Sequence, residues 1–339
     1  MTKRVLLSIL IIVFVIISLV GVYSFGLNNS KKITTNSTTT VELIDFDDVH
    51  YVDSFDVSDF SGKEINTIDI PSLEFSNLVV NGSDFTISDE LMSRIKDNIN
   101  SFGVATSFYI LSLDDGMSFG YNIDGHFETA SSIKAPYALY VYREIANGNI
   151  DPDQKIEYKE RFHNAGTGVV KDSPFGTEFT VRDLVYYSVN DSDNVAHIML
   201  HGTFGVTGYN NMLKRLGAKQ LYLTATNPWT FTSCRSAAII WQDIYNFALE
   251  DPEGVTFLNI LSNGKYNYYK EIMPELPSAS KTGFAHKDVV ETGIVFDKHP
   301  YIAIAMANKG GSRGAYTQIL NLIGLMNDVM QEYYTYLGE

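Results

Sequence analysis

The sequence predicts an α+β fold: a five-stranded antiparallel sheet flanked by N- and C-terminal helices, with a helical domain inserted between its two halves. Three observations carry this. Residues 104–121 read as two strands around a tight turn, residues 280–307 read as three more, and the long stretch between them is mainly helical in period. With 339 residues, 45% of them apolar and 19% charged, the chain has enough apolar material for one large core or two smaller ones.

The first element is an anchor. Lys3 and Arg4 precede an uncharged run from Val5 to Val22, which as a helix spans about 27 Å, the thickness of a bilayer's hydrocarbon core. The run is long for a signal peptide, and Val22 to Gly26 makes a poor cleavage site. The expected layout is a cytoplasmic tail at residues 1–4, a transmembrane anchor at 5–25, an extracytoplasmic linker or stalk at 26–87 and a folded domain at 88–339. The expected location is therefore the cell membrane, single-pass with the domain outside; the alternative is a long signal peptide whose cleavage secretes it.

Residues 28–40 are polar and without apolar period. Residues 41–90 hold thirteen acids against one base, Lys63, and so carry most of the net charge of −15. The rest is close to neutral, which argues against a nucleic-acid partner. Asp45, Asp47, Asp48, Asp53, Asp56 and Asp59 lack the spacing and the glycine of a calcium loop and are expected to form a solvated face. Whether this acidic segment forms a few strands or an extended stalk is open from the sequence.

Ser88 is placed to cap a helix over Asp89 to about Asn100, with Leu91, Ile95 and Ile99 on one face. Val104–Leu113 and Met117–Tyr121 are expected to pair as a hairpin through Asp114-Asp115-Gly116. Helical pattern then runs from Ser131 to about Met273. Strands return at Ser280–Phe284, Glu291–Phe296 and Tyr301–Ala307, and a helix over about Tyr316–Tyr334 closes the fold. Cys234 is the single cysteine, so no internal disulfide forms.

Chemistry begins at Ser131-Ser132-Ile133-Lys134. A serine hydroxyl needs a base within hydrogen-bond reach to become a nucleophile, and on a helix residues three apart share a face. A helix start at Ser131 would also favour a developing oxyanion. The same spacing recurs at Ser93/Lys96, Ser262/Lys265 and Ser278/Lys281, so alone it decides nothing. What distinguishes Ser131 is that Ser192-Asp193-Asn194 and then Lys281-Thr282-Gly283 follow in order, each once in the chain.

That ordered set resembles the class A β-lactamase-like catalytic domain of the penicillin-recognising serine enzymes, over roughly Ser88 to Glu339. The resemblance implies that Ser131 attacks a carbonyl and that Lys134 accepts its proton. Ser192 would relay a proton to the leaving nitrogen, and Lys281 would attract a substrate carboxylate and bias the Ser192 hydroxyl. It implies substrate binding by Asn194, Thr282, Gly283 and Phe284: an amide for the substrate side chain, a hydroxyl for the carboxylate, a bare strand edge, and a backbone N–H as second oxyanion donor opposite that of Ser131. Asp193 is expected to tie the loop down. No cofactor and no metal are expected. His197 and His201 have zinc-compatible spacing but no third ligand, and Gly310 to Gly314 reads as a turn rather than a phosphate loop.

One departure matters. Where class A β-lactamases carry the glutamate that activates the deacylating water, this chain has Asn227-Pro228, with no acid from Gly217 to Gln242. An amide cannot take a proton from water. The expected function is a monomeric serine acyl hydrolase, a β-lactamase or DD-peptidase-like amide hydrolase, that forms a Ser131 acyl-enzyme with β-lactam or D-Ala-D-Ala-like cell-wall substrates. The alternatives are a true β-lactamase and a non-catalytic β-lactam sensor or wall-binding module.

Overall fold

The structure, a computed structural model, describes residues 54–65, 68, 79–102, 105–285, 288–308 and 313–339. The Val5–Val22 run and the 28–40 linker lie outside the described residues; among those described, no helix is long and apolar enough to cross a membrane.

The main sheet contains β1 (Val79–Asn81), β2 (Thr106–Ser112), β3 (Ser118–Tyr121) and three late strands. The late strands are β8 (Ser278–Phe284), β9 (Asp288–Phe296) and β10 (Pro300–Asn308). Their order is β1-β3-β2-β10-β9-β8, and every pairing is antiparallel. The five expected strands are all present. The sixth, β1, adds to the β3 edge from within the segment expected to be linker, and at three residues it is too short to show a strand period.

Strand alternation sends the two faces of the sheet into different cores. Phe108 and Ile110 of β2, with Tyr301, Ala303 and Ala305 of β10, pack under α1 (Asp89–Phe102) and the closing α9 (Arg313–Leu337) through Leu91, Ile95, Ile319, Leu322 and Val329. Tyr109, Leu111, Ile302, Ile304 and Met306 point the other way, into the inserted lobe. Burying each such large side chain contributes about 1.5–3 kcal/mol. Ser88 caps α1 as expected, its Oγ accepting from Leu91 N at 3.3 Å.

The inserted lobe comprises α2 (Lys134–Ala146), α3 (Val181–Val189), α4 (Asn194–Phe204) and α5 (Thr207–Leu216). It continues with α6 (Cys234–Glu250) and α7 (Pro252–Ser262), whereas Tyr268 and Tyr269 of the short α8 (Tyr268–Ile272) join the core under α1 and α9 on the other face of the sheet. Two small pairings interrupt the helical pattern: β4 (Phe127–Glu128) with β7 (Phe231–Thr232), and β5 (Lys155–Glu157) with β6 (Glu178–Thr180).

A further part of the expected linker also belongs to this core. Residues 54–60 form a strap whose Phe55 and Phe60 are buried against Tyr245 and Phe296. Asn259 clamps its backbone, accepting from Phe55 N at 3.0 Å and donating to Phe55 O at 2.8 Å. Asp56 and Asp59 cap the turn Val57–Phe60 rather than gather around an ion. Phe85 and Ile87 are buried as well. Packing on the folded domain therefore begins well before residue 88, because isolated aromatics in an acidic run found partners across the fold that no local period announces.

Candidate active site

Ser131 lies on a 3-10 turn, Ala130–Ile133, immediately before α2, so it precedes the α-helix rather than starting it. The turn is entered through Ala130 at φ 44°, and Ser192 stands across the cleft at φ 57°. Left-handed backbone at residues with a Cβ costs about 1–3 kcal/mol each and persists where the surroundings impose it.

Asp193 imposes it at Ser192. Its Oδ1 caps α4 by accepting from Ala196 N at 2.9 Å. Its Oδ2 accepts from Val169 N at 2.6 Å and Val170 N at 2.8 Å. Gly168 makes room, since a Cβ there would lie 2.1 Å from the Asp193 carboxyl. The loop-tying role expected of Asp193 is what the geometry has.

Lys134 is the centre of the constellation and is wholly buried. Its Nζ lies 2.6 Å from Ser192 O, 2.8 Å from Asn194 Oδ1 and 3.0 Å from Ser131 Oγ, with Ser192 Oγ further off at 3.3 Å. The carbonyl and amide oxygens only accept. A neutral amine satisfies both with its two N–H bonds and turns its lone pair to the Ser131 O–H. Burial first, and then the positive charge of Lys281, hold the Lys134 pKa well below its ordinary value, against the opposing pull of Asp193. A buried amine hydrogen-bonded to a serine hydroxyl is the geometry that general-base activation of a nucleophile requires.

Lys281 Nζ reaches Ser192 Oγ at 3.1 Å. Burial lowers its pKa to about 8, with Glu291 opposing the shift. Ser131, Lys134, Ser192, Asn194 and Lys281 thus converge in one cleft. The Asn194 Nδ2 is engaged with Asn164 Oδ1 at 3.2 Å, a partner the sequence did not announce.

The residues of the last motif also have partners within the protein. Thr282 Oγ1 lies 3.1 Å from Tyr266 O and 2.5 Å from Glu291 Oε2. Gly283 is required by the protein itself: a Cβ there would sit 2.2 Å from Thr129 O and 3.0 Å from Ser132 N, where β8 passes the nucleophile's turn. Phe284, at the exposed end of β8, projects its ring outward at 55% exposure.

His197 and His201 fasten the loop that carries Asn227. Their Nε2 atoms lie 2.9 Å from Pro228 O and 3.0 Å from Thr224 O. A carbonyl cannot donate, so both rings hold the proton on Nε2. Burial drives the His197 pKa down to about 3. Among the described residues no cluster could hold a metal ion. Asn227 itself is exposed, and its Oδ1 accepts from Trp229 N at 3.1 Å. It lines a cavity of about 280 Å³ beside the nucleophile's turn, together with Ala130, Trp229, Phe231 and Glu128. Glu128, Asp288 and Glu291 are acids near the site that lie outside the three motifs; Asp288 accepts from Glu128 N at 2.6 Å, and Glu291 lies inside β9.

With this geometry in hand, residues 90–333 match the beta-lactamase enzyme family. Beta-lactamase VEB-1 of Pseudomonas aeruginosa is 28% identical over 122 residues, 35% of this chain and 41% of that protein. The beta-lactamase regulatory protein BlaB of Streptomyces cacaoi is 27% identical over 135 residues, 40% of this chain and 43% of its own. The match thus spans less than half the length of either relative. Among solved structures, PBP-A superposes with a TM-score of 0.66 at 17% identity, covering 72% of this chain and 97% of that one. At that identity the likeness establishes the fold.

Proposed function

The chain belongs to the beta-lactamase enzyme family, and from that premise we propose that it is a serine acyl hydrolase forming a slowly cleared Ser131 acyl-enzyme with β-lactam or D-Ala-D-Ala-like amides. One observation carries the reading: Lys134 is buried with its two acceptors filled and Ser131 Oγ 3.0 Å away. Lys134 takes the Ser131 proton as Oγ attacks the carbonyl carbon. Ser192, between Lys134 and Lys281, delivers a proton to the leaving nitrogen as the amide bond breaks. The Ser131 N–H and the Phe284 N–H serve as oxyanion donors, and Lys281 meets the substrate carboxylate.

The ester so formed has no acid on the Gly217–Gln242 stretch to deprotonate a water, which supports persistence of the acyl-enzyme. The β-lactamase reading has one observation in its favour: Glu128 lines the same cavity as Asn227. A non-catalytic sensor is disfavoured by the intact pairing of nucleophile and base. We further propose a single-pass anchor through Val5–Val22 with the domain outside the cytoplasm. Protease added to spheroplasts should digest the domain and leave the anchor with the membrane; finding the protein free in the medium would mean cleavage and secretion.

Labelling with a fluorescent penicillin tests the acyl-transfer reading. Wild type should be labelled and Ser131→Ala should not. Label retained in Ser131→Ala, or mapped to the peptides of Ser93, Ser262 or Ser278, would overturn it. Nitrocefin turnover by wild type that is lost in Glu128→Gln would instead establish the β-lactamase reading.

A further inference from the structure

Glu291 sits behind the catalytic strand, opposite Thr282 in the β8–β9 register. It is wholly buried. On its own face of the sheet it meets Thr282 and Ser280 of β8, Tyr268 and Tyr269 of α8 and the apolar Ala305 of β10, and the charge of Lys281 acts on it from the other face.

A hydroxyl has one hydrogen to give. Thr282 Oγ1 is within hydrogen-bond distance of both Tyr266 O and Glu291 Oε2. Were Glu291 ionised, two acceptors would compete for that hydrogen and one contact would go unbonded. With a proton on Glu291 both contacts are satisfied in series: the carboxyl donates to Thr282 Oγ1, which donates to the Tyr266 carbonyl. Burial independently favours the neutral form, raising the Glu291 pKa to about 7 against the lowering effects of Thr282, Ser280, the Lys281 charge and the Tyr268 backbone N–H.

We infer that Glu291 is a positioning residue for recognition of the substrate carboxylate, an inference that rests on the acyl-transfer function proposed above. Protonated, Glu291 supplies the hydrogen bond that Thr282 accepts, so the Thr282 hydrogen can be redirected from the Tyr266 carbonyl to an anionic substrate group, a stronger acceptor. Ionised, it captures that hydrogen and offsets the Lys281 charge on which the same carboxylate depends. Carboxylate recognition is therefore strongest on the acid side of the Glu291 transition and weakens as pH rises through it.

The test uses the full chain and compares acylation rate constants for a fluorescent penicillin and for its carboxylate methyl ester, which removes effects on the nucleophile. In wild type the ratio of acid to ester should fall about fourfold between about pH 6 and about pH 7.5, the change in protonated fraction of a group titrating near 7. Glu291→Gln keeps a donor toward Thr282 and carries no charge. Its ratio should change less than about twofold and exceed that of wild type at the higher pH. If Glu291 is instead an ionised counter-ion of Lys281, Glu291→Gln lowers the ratio at both pH values, which would overturn the inference, as would a wild-type ratio that does not change. An infrared carboxylic-acid band titrating near 7 in wild type and absent from Glu291→Gln is the second expectation. It is independent of substrate: if neither penicillin nor ester acylates Ser131, the proposed function fails, whereas an absent band at pH 6 overturns the role of Glu291 whatever the substrate.

Discussion

Asp193→Ala separates the scaffold of the cleft from its chemistry. The Asp193 side chain is wholly buried and accepts from the backbone N–H groups of Val169, Val170 and Ala196. Each hydrogen bond to a charged group is worth about 1.5–3 kcal/mol net, and the losses are not additive. Removing the carboxylate orphans the buried Val170 N–H, uncaps α4 and frees the loop that packs on Asn194 through Gly166. The expected cost is about 3–5 kcal/mol. For a domain of this size each kcal/mol moves the midpoint by roughly 2–4 °C, so a loss of roughly 10 °C should be seen by calorimetry or circular dichroism. With the tie gone, Ser192 loses what holds it at φ 57°, and labelling by a fluorescent penicillin should fall even where the variant remains folded. Asp193→Asn keeps one acceptor oxygen and should lie between. A midpoint within about 2 °C of wild type would refute the account of Asp193 as the tie.

Asn227→Glu should shorten the lifetime of the acyl adduct, by up to about 10²–10⁴, with the acylation rate nearly unchanged, as followed by stopped flow. Because Lys134 acts as the neutral base, acylation by a fluorophosphonate should rise with pH and level off below the ordinary lysine range of about 10. Lys281→Met removes a positive neighbour that lowers the Lys134 pKa, so the rise should move to higher pH; a pH–rate profile that moves the other way would contradict the assignment. Asn259→Ala should release the strap at Phe55, a loss of about 1–3 kcal/mol, seen as faster hydrogen exchange and proteolysis around residues 54–60 with labelling of Ser131 retained.

Much of the catalytic cleft was legible because each residue belongs to a short motif whose spacing survives any detail of packing. Ser131 and Lys134 share a turn, and Lys281 opens a Lys-Thr-Gly run that occurs once in the chain. What eluded the sequence depends on pairings across the fold. Thr282 meets Glu291 only through strand register, where a slip of one residue would send the acid to the opposite face. Asn164 reaches Asn194 from a loop thirty residues away. Phe55 and Phe60 sit in a segment whose charge reads as stalk, and only Asn259, some 204 residues on, reveals it as part of the core. The histidines of α4 fasten the Asn227 loop, a role that depends on which carbonyls lie above them and that spacing alone cannot express.

The central claim is a covalent intermediate on Ser131 that outlives its formation. A time course of intact mass after mixing the full chain with a penicillin tests it most directly. The account predicts one added penicillin mass per chain, mapped to the peptide containing Ser131 and persisting after free drug is removed. Rapid return to the unmodified mass with turnover of the drug would show that another group supplies the deacylation base, and no adduct at all would contradict the assignment of Ser131 as a nucleophile toward β-lactams.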